Sequence, residues 1–453
     1  MQLLPRLCMA TGTGGDGDGG RNGNSSKLAT AVSSTSSSTV STSSAAAAAV
    51  SEASSSSTSL PSLSSATSVS LAAFFAHVTT LLPLSASSAA VVAAAAAGES
   101  LHGGLVVVAR PACVALHDLS TLEATSTSDA ADAAAAAGSV KCVAHLHGSS
   151  GGAAAAAAVT GHQDGRLRLW RVSSRSPARL RLAAALPTVS DRLRRFPVPS
   201  NHVTVRRHHR RLWIEHADAV SGVAASADGR LLFSVSWDKT LKVWALPSLR
   251  CLQSLPAHDD AVNAVAVAPD GTVYTASADK RVRVWARGGK KHHQQQSGVY
   301  HLVATLSRHT AAVNALAVGC GGQALYSGGN DRCVLVWERE DSASHMVAVG
   351  ALRGHRRAVL SVACAPGGLV VSGSADQTVR AWRRAADGRG YACVAVIDGH
   401  DAAVRSVAAA PLPPIQKRSR AGGDDADGGE EWRVCSASFD GEVRVWSLRV
   451  SGL

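Results

Sequence analysis

The stretch HDDAVNAVAVAPDGTVYTASADKRVRVWAR (258–287) decides the fold of this 453-residue chain. Apolar residues alternate with small or polar ones in AVNAVAVAP, TVYTASAD and RVRVWAR, and a fourth short run, HLVATLSR (301–308), precedes the next His. A period of two indicates strands rather than helices. The Pro, Asp and Gly residues between the runs mark turns. The stretch therefore predicts a unit of four strands.

The same unit recurs six times, and a repeat of this kind determines the architecture. Each copy has an Asp with a Trp six residues later and a Ser or Thr four residues earlier. The six sets are Thr160, Asp164 and Trp170; Ser234, Asp238 and Trp244; Thr275, Asp279 and Trp285; Ser327, Asp331 and Trp337; Ser372, Asp376 and Trp382; Ser436, Asp440 and Trp446. Every copy except the first also has an upstream His, and these are His216, His258, His309, His355 and His400.

The spacing predicts how these side chains meet. If the hairpin turn centres near Lys280, Thr275 and Trp285 face each other across antiparallel strands, and the indole N–H lies beside a hydroxyl. The Asp then lies in the turn, where it accepts a hydrogen bond from the His. Because an enzyme needs one asymmetric site, a His–Asp pair in every unit predicts a structural network and no catalytic residue. The same arithmetic pairs Ser234 with Trp244 and Ser372 with Trp382.

This Ser/Thr, His, Asp and Trp pattern, with Gly–His at Gly354–His355 and Gly399–His400, resembles the WD-repeat β-propeller family. The resemblance implies an all-β fold in which one strand of each unit completes the preceding blade. VTTLLPL, GLVVVAR and CVALHDL, ending at His117–Asp118, are expected to form a degenerate blade, which makes seven. A strand near Val69–Ala76 is expected to close the ring and abolish the open sheet edge.

The order of the repeat phrases is similar to that of plant Jingubang-type WD-repeat proteins. That resemblance implies a non-enzymatic, monomeric protein–protein interaction scaffold in the cytoplasm and nucleus, a regulator of pollen germination or growth. Its expected partners are other proteins, with an acidic surface or a transcriptional regulator as candidates. One alternative is a substrate receptor of a cullin-type ubiquitin ligase, although Trp446–Arg449 lacks the Asp of W-D-x-R. The phrases are TGHQDGRLRLW (160–170), HADAVSGVA (216–224), SWDKTLKVW (236–244), AHDDAVNAV (257–265), LRGHRRAVLSVA (352–363) and SGSADQTVRAW (372–382).

A basic insertion is predicted at 187–215, and most of it lies within the region that explains the formal net charge of +12. Residues 166–211 hold thirteen Arg, no Lys and one acid. A solvated loop is the leading interpretation, and an acidic protein partner or a nucleic-acid adaptor role are the alternatives. Trp237 and Phe439 precede the repeated Asp in two turns, where large aromatic residues are typical binding anchors. The candidate partner-binding residues are Trp237, Phe439, Arg206, Arg207, Arg210 and Arg211.

Composition sets the remaining boundaries. Residues 1–65 are almost all Ser, Thr, Ala and Gly, which predicts a disordered tail before a propeller at 66–453 with loop insertions at 286–298 and 411–431. Leu71–Gly98 is uncharged but interrupted by polar residues, so strand and loop are favoured over a membrane helix.

No metal or cofactor is expected from the sequence. Nine Cys residues form no C-x-x-C pair, which disfavours a zinc site or a disulfide scaffold. Gly12, Gly14 and Gly17 fit G-x-G-x-x-G without the strand and helix that a nucleotide site requires. The adjacent His pairs at 208–209 and 292–293 lack further ligands.

Overall fold

The computed structural model describes residues 60–63, 72–80, 91–95, 105–110, 113–128, 139–146, 156–173, 179–206, 209–288, 298–343, 345–385, 388, 390–412 and 430–451. All of them belong to one compact unit, 50–453. The predicted disordered tail lies outside the described residues except for 60–63, and so do Gly12, Gly14, Gly17, His208, His292–His293 and most of both loop insertions.

Thirty strands and one short helix make up the described part of the chain. In chain order the strands are β1 (Ala72–Thr80), β2 (Val91–Ala95), β3 (Leu105–Arg110), β4 (Cys113–Asp118), β5 (Ala124–Ser128), β6 (Val140–His145), β7 (Ala156–His162), β8 (Leu167–Val172), β9 (Arg179–Leu186), β10 (His202–Arg206), β11 (His209–Leu212), β12 (Val220–Ala225), β13 (Leu231–Ser236), β14 (Thr240–Ala245), β15 (Arg250–Pro256), β16 (Val262–Val267), β17 (Val273–Ser277), β18 (Val282–Arg287), β19 (Tyr300–Leu306), β20 (Val313–Gly319), β21 (Ala324–Gly329), β22 (Cys333–Arg339), β23 (Met346–Arg353), β24 (Val359–Ala365), β25 (Leu369–Ser374), β26 (Val379–Arg384), β27 (Tyr391–Ile397), β28 (Val404–Pro411), β29 (Glu430–Ser438) and β30 (Val443–Ser451). The helix is α1 (Val189–Arg195), and no helix among the described residues has the length and apolar character needed to cross a membrane.

Seven four-stranded blades form the propeller. Blades 1 and 2 are β2–β5 and β6–β9, which join edge to edge through a short parallel pairing of β5 with β9. Blades 3 to 6 are β12–β15, β16–β19, β20–β23 and β24–β27, and blade 7 combines β28–β30 with β1. The innermost strands β2, β6, β12, β16, β20, β24 and β28 contact one another in turn, and β28 contacts β2. The seven-bladed all-β fold predicted from the repeats is therefore confirmed.

The N-terminal strand completes the C-terminal blade. β1 pairs antiparallel with β30 from Ala72 opposite Ser451 to Thr80 opposite Arg444. Its range, 72–80, lies further along the chain than the predicted 69–76. Val78–Thr80 were assigned to the degenerate blade, and that assignment was wrong: the inner strand of blade 1 is β2 instead.

The hairpin register differs from the prediction by two residues. Trp285 lies opposite Val273, and Thr275 lies opposite Arg283, so the turn centres on Asp279 rather than Lys280. The Ser277 N–H bonds to the carbonyl of Arg281, which leaves a three-residue loop whose last residue, Lys280, has φ 71°. Such a left-handed third residue is the usual geometry of three-residue hairpin loops. The Trp285 indole therefore bonds to the hydroxyl of a residue diagonally across the hairpin, Thr275, rather than to the residue directly opposite.

The core lies between neighbouring blades. All six residues of β25 are buried because both faces of this second strand pack on adjacent blades, whereas the outer strand β27 alternates between buried and exposed residues. Tyr326 of blade 5 and Tyr391 of blade 6 join their hydroxyls at 2.9 Å inside this core. Although aromatic residues are only 4% of the chain, the conserved spacing of Trp places one fully or nearly buried indole in each of blades 2 to 7.

Residues 60–63 pack against blade 5, although the predicted tail extends to residue 65. The Leu63 N–H donates to the carbonyl of Ala351 at 3.0 Å, and the Ala351 N–H donates to the carbonyl of Pro61 at the same distance. Leu63 joins the apolar cluster between blades 5 and 6. An added Cβ at Gly350 would lie 2.5 Å from Leu63, so the absence of a side chain at Gly350 makes room for this contact.

The basic insertion was expected to be a loop, but it forms a helix and a hairpin. Thr188 caps α1 by accepting from the Asp191 N–H at 3.2 Å. β10 and β11 then pair antiparallel, and Trp213 donates to the Asn201 side chain at 3.1 Å. The insertion lies between the outer strand of blade 2 and the His of blade 3.

Candidate functional site

The repeated side chains form one hydrogen-bonded relay in each of blades 3 to 7. The indole Nε1 lies 2.8–2.9 Å from the hydroxyl, the hydroxyl 2.7–2.8 Å from His Nε2, and His Nδ1 2.6–3.1 Å from the Asp carboxylate. The relays are Trp244–Ser234–His216–Asp238, Trp285–Thr275–His258–Asp279, Trp337–Ser327–His309–Asp331, Trp382–Ser372–His355–Asp376 and Trp446–Ser436–His400–Asp440.

Donor and acceptor chemistry assigns the protons in the relay. The Trp244 indole is only a donor, so the Ser234 hydroxyl accepts from it and donates to Nε2 of His216. Because Nε2 accepts, the single N–H of the neutral His216 ring is on Nδ1, and it donates to Asp238. A neutral imidazole therefore donates from Nδ1 and accepts at Nε2, so the relay uses both of its ring nitrogens.

The pKa values of the relay follow from burial and these bonds. Burial lowers the pKa of His216 below its ordinary value, and Asp238 only partly offsets that effect. Burial opposes ionisation of Asp238, but hydrogen bonds from His216, Thr240 and the Ala217 N–H outweigh it and hold the pKa of that carboxyl well below its usual range. The imidazole thus stays neutral beside an ionised carboxylate.

Blade 2 obtains its imidazole from an unexpected position. Trp170 donates to Thr160 at 2.9 Å, and Thr160 lies 2.8 Å from Nε2 of His162, two residues further along the same strand. Asp164 pairs instead with the buried guanidinium of Arg168 at 2.9 Å. This unit was expected to lack a His, but His162 takes the place of the imidazole beside Thr160. The sequence signal was the His inside TGHQD, which lies two residues before the Asp.

Blade 1 has lost the relay. His117 occupies the Trp position of β4, opposite Val106, and Val108 stands where the other blades have Ser or Thr. The His117 side chain is buried, and neither ring nitrogen has a hydrogen-bond partner among the described residues. Burial lowers the pKa of His117 below its ordinary value.

These lowered histidine pKa values predict a loss of stability on mild acidification. The unfolded chain takes up protons near pH 6.5, but folded His117, His216 and His400 do not, so the free energy of unfolding falls as the pH drops from about 7.5 to 5. The relay carboxylates, whose pKa values are also lowered, lose their contribution only below about pH 4. Urea unfolding across this pH range measures the effect.

His117→Phe provides the control for that measurement. Removing one buried titrating group is expected to reduce the slope of the free energy of unfolding against pH. The reduction is at most that of one proton, about 1.4 kcal/mol per pH unit. It is also expected to raise stability at neutral pH, because a ring without polar atoms replaces one with no bonding partner. A free energy of unfolding that stays constant between pH 7.5 and 5 would contradict the lowered pKa values of the buried histidines.

The relay positions the hairpin turns, and we call the end of the propeller that carries them the turn face. In each turn the residue before the Asp donates its N–H to a carbonyl at or just before the start of the inner strand of its own blade, as Trp237 does to Ala219 at 3.2 Å and Phe439 to Ala403 at 3.1 Å. The side chains at this position are Gln163, Trp237, Ala278, Asn330, Ala375 and Phe439. Trp237 is 37% exposed and Phe439 51% exposed.

A cation–aromatic cluster on the turn face joins Lys141, Trp237, Arg405 and Phe439. Lys141 Nζ lies 5.5 Å from the Trp237 ring centre, and the Arg405 guanidinium lies 5.8 Å from that of Phe439. Arg405 of blade 7 also donates to the carbonyls of Val140 at 3.2 Å and Lys141 at 3.0 Å in blade 2. Four side chains from blades 2, 3 and 7 thus form one continuous surface.

The two cations of this cluster are partly dehydrated. Burial lowers the pKa of Lys141, and the charge of Arg405 lowers it further. Burial also lowers the pKa of Arg405. Lys141 makes no ion pair within the described ranges. A charge in such a setting interacts strongly with an incoming anion.

Sequence reasoning found the aromatic residues of the cluster but missed its cations. Lys141 and Arg405 are each the second residue of an inner strand, directly after Val140 and Val404. Blades 3 to 6 have uncharged side chains there, and three of them bond to the next blade: Ser221 to the Val262 carbonyl, Asn263 to that of Val313 at 2.9 Å and Asn314 to that of Val359 at 2.8 Å. A charged residue at this repeat position was the available signal.

The predicted arginines of the insertion have different environments. Arg210 is exposed, whereas Arg211 donates to the carbonyl of His216 at 3.0 Å and so supports the relay of blade 3. The Arg206 side chain and Arg207 lie outside the described residues. In the possible ligase motif, Trp446 belongs to the blade 7 relay, and Arg449 pairs with Glu431 at 3.2 Å.

His400, Asp440 and Glu442 are the one group in the described residues whose side chains are close enough to share a metal ion. His400 and Asp440 are already joined in the blade 7 relay, and Glu442 pairs with Arg444 at 2.7 Å. Their donor atoms are therefore used in structural bonds.

Seven four-stranded blades, five of them with a complete Trp–Ser/Thr–His–Asp relay, define a WD-type β-propeller. Five segments match the family model described as "WD domain, G-beta repeat", at 208–245, 249–286, 300–338, 346–383 and 391–447. These five segments are therefore WD repeats. The segment 249–286 contains β15 of blade 3 and β16–β18 of blade 4, and each of the last four matched segments likewise begins with the outer strand of the preceding blade.

Curated proteins with similar sequences match only in part. "U3 small nucleolar RNA-associated protein 15 homolog" of Gallus gallus is 25% identical over 46% of this chain and 39% of its own length. "Eukaryotic translation initiation factor 3 subunit I" of Culex quinquefasciatus is 26% identical over 39% and 46%, and "Protein ROOT INITIATION DEFECTIVE 3" of Arabidopsis thaliana 26% identical over 44% and 40%. The chain spans less than half the length of each of these relatives.

Proposed function

We propose that this chain is a non-enzymatic protein-interaction scaffold that holds an acidic partner segment on its turn face. The cation–aromatic cluster carries this proposal. Its aromatic rings are exposed although large aromatic residues normally contribute most when buried, and its cations are partly buried although cations normally prefer water. A partner that covers the rings and supplies a carboxylate resolves both features.

The cluster has the composition of an interaction hot spot. Trp, together with Arg, is enriched among the residues that dominate binding energy, and such residues gather near the centre of an interface. The rings of Trp237 and Phe439 lie beside Lys141 and Arg405 respectively, so one partner segment can contact a ring and a cation at each end. The relays below keep the turns fixed, which reduces the entropy lost on binding.

Proximity labelling in cells tests the proposal. The full chain fused to a labelling enzyme is compared with a Trp237→Ala/Phe439→Ala variant, which is expected to lose its specific neighbours by tenfold or more because hot-spot truncations typically cost about 2 kcal/mol. Gln163→Ala removes an exposed side chain from the same turn position of blade 2 and is expected to keep them. Equal labelling by the double variant and the wild type would reject the turn-face site.

The proposed biological role is regulation of pollen germination or growth, in the cytoplasm and nucleus. The similarity of the repeat phrases to Jingubang-type proteins supports it, together with the presence of a plant protein among the partial matches. The neighbours recovered by labelling test this role directly, because a ligase receptor would instead enrich cullin-complex subunits.

A further inference from the structure

Helix α1 of the insertion presents its apolar side chains to solvent. Val189, Leu193 and Phe196 follow the spacing of one helix face and are 71%, 68% and 66% exposed. The buried residue of this helix is Asp191. A surface helix normally packs its apolar face on the core and exposes its charges. The arrangement in α1 is the reverse, so its apolar face is available to a partner.

This exposed face is held rigidly. Arg195 pairs with Asp191 at 3.1 Å and stacks over the Trp213 ring at 4.5 Å. The Asn201 side chain donates to the carbonyl of Arg195 at 3.0 Å and accepts from Trp213 at 3.1 Å. The charged residues on the inner side of α1 therefore anchor the insertion, and its outward side chains keep fixed positions without being covered.

The apolar face forms one wall of a cleft of about 850 Å³. The other walls are the hairpin strand β11 and the turn of blade 2 that contains Asp164. His202 lies edge-on to the Phe196 ring at 5.6 Å and bonds to the Phe196 carbonyl at 2.9 Å, which fixes that end of the cleft. A cleft of this volume accommodates several side chains of a ligand.

The charges around the cleft are unbalanced. Five arginines and two acids line it, and both acids are already paired with arginines. Arg166 and Arg210 are exposed and make no ion pair within the part of the chain that the structure describes. The cleft thus combines an apolar wall with a surplus of positive charge. The paired acids are Asp164, with Arg168 at 2.9 Å, and Glu215, with Arg192 at 2.6 Å.

We propose that this cleft is a second docking groove, which binds an acidic peptide segment carrying apolar side chains. Leucine or aromatic side chains of the peptide lie against Val189, Leu193 and Phe196, and its carboxylates meet Arg166 and Arg210. Amphipathic segments bind apolar grooves in this way, and complementary charge fixes their orientation and accelerates association. The groove shares no residue with the cation–aromatic cluster.

A designed peptide tests the groove. The probe is a fluorescein-labelled helical peptide of Glu and Leu, with Leu at positions i, i+3, i+4 and i+7, titrated with the full chain at low and physiological salt. Leu193→Ser/Phe196→Ser is expected to weaken binding at least tenfold, and Arg166→Gln/Arg210→Gln is expected to weaken it and reduce its salt dependence. The matched controls are Val347→Ser, an exposed apolar residue on β23, and Arg250→Gln, an exposed arginine on β15, and both are expected to bind as the wild type does.

The binding experiment distinguishes the acidic peptide from other ligands of the groove. Equal affinity of the Leu193→Ser/Phe196→Ser variant, or equal affinity for a peptide with Lys in place of Glu, overturns the proposal. Binding of single-stranded RNA that competes with the peptide and depends on Arg166 and Arg210 alone also overturns it, in favour of nucleic acid. Concentration-dependent self-association abolished by Leu193→Ser, without peptide binding, assigns the groove to a second copy of the chain. Trp237→Ala/Phe439→Ala must retain peptide binding, which separates this groove from the turn-face site.

Discussion

Replacing Asp238 with alanine is expected to lower the free energy of unfolding by about 2–4 kcal/mol. The carboxylate accepts four hydrogen bonds: from His216 at 3.0 Å, from the Ala217 N–H at 2.8 Å, and from the N–H and hydroxyl of Thr240 at 2.9 and 2.6 Å. Its side chain is only 7% exposed, so water cannot replace these bonds. Urea unfolding of the full chain at pH 7.5 measures the loss.

Asp341→Ala is the matched control, because Asp341 is an exposed carboxylate of blade 5 with no ion pair in the described part of the chain. Its substitution is expected to change the free energy of unfolding by less than about 0.5 kcal/mol. Asp238→Asn keeps one oxygen acceptor, so its loss in free energy of unfolding is expected to lie between those of the two alanine variants. Equal stability of Asp238→Ala and Asp341→Ala would show that the relay contributes nothing to the fold.

Deleting residues 1–80 is expected to destroy the closed ring. The deletion removes all nine residues of β1 and leaves β30 paired only with β29, as an exposed edge strand. An exposed strand edge of that length pairs with other chains, so aggregation is expected along with loss of the cooperative thermal transition. Size-exclusion chromatography and thermal melting of the purified protein measure both effects.

The control for that truncation is a chain that lacks residues 1–59. It retains β1 and the contact of residues 60–63 with β23, so a monodisperse protein with a nearly unchanged melting temperature is expected. If both truncated proteins elute as monomers and melt at the same temperature, the ring does not depend on β1.

The blades were predictable because one physical requirement repeats in each of them. A buried indole needs an acceptor, and in blades 3 to 7 the fixed distances from Trp to Ser or Thr and to Asp encode that requirement. The register was not predictable from spacing alone, because the left-handed Lys280 moves the turn centre by one residue and the pairing by two. Blade 1 was harder still, since His117 and Val108 carry no relay signal and the Ala-rich β2 has no distinctive side chains.

The candidate sites were predictable only where one residue differs from its repeat. Trp237 and Phe439 stand out because the other blades have small or polar residues in that turn. Arg405 reaches across to blade 2, a contact between residues more than 260 positions apart that no local pattern encodes. The insertion was recognised by its charge, but the exposure of its apolar side chains depends on which side of α1 faces inward, and tertiary contacts with Trp213 and Asn201 decide that.

The relays are expected to stabilise the propeller, and the turn-face cluster is the proposed site of partner binding. The most direct test is the dissociation constant of one partner recovered by labelling, measured for the wild type and for Trp237→Ala/Phe439→Ala by titration of purified full-length proteins. The expected result is binding weakened at least about 30-fold, with a free energy of unfolding within about 0.5 kcal/mol of the wild type. An unchanged dissociation constant would contradict the proposed role of the turn face.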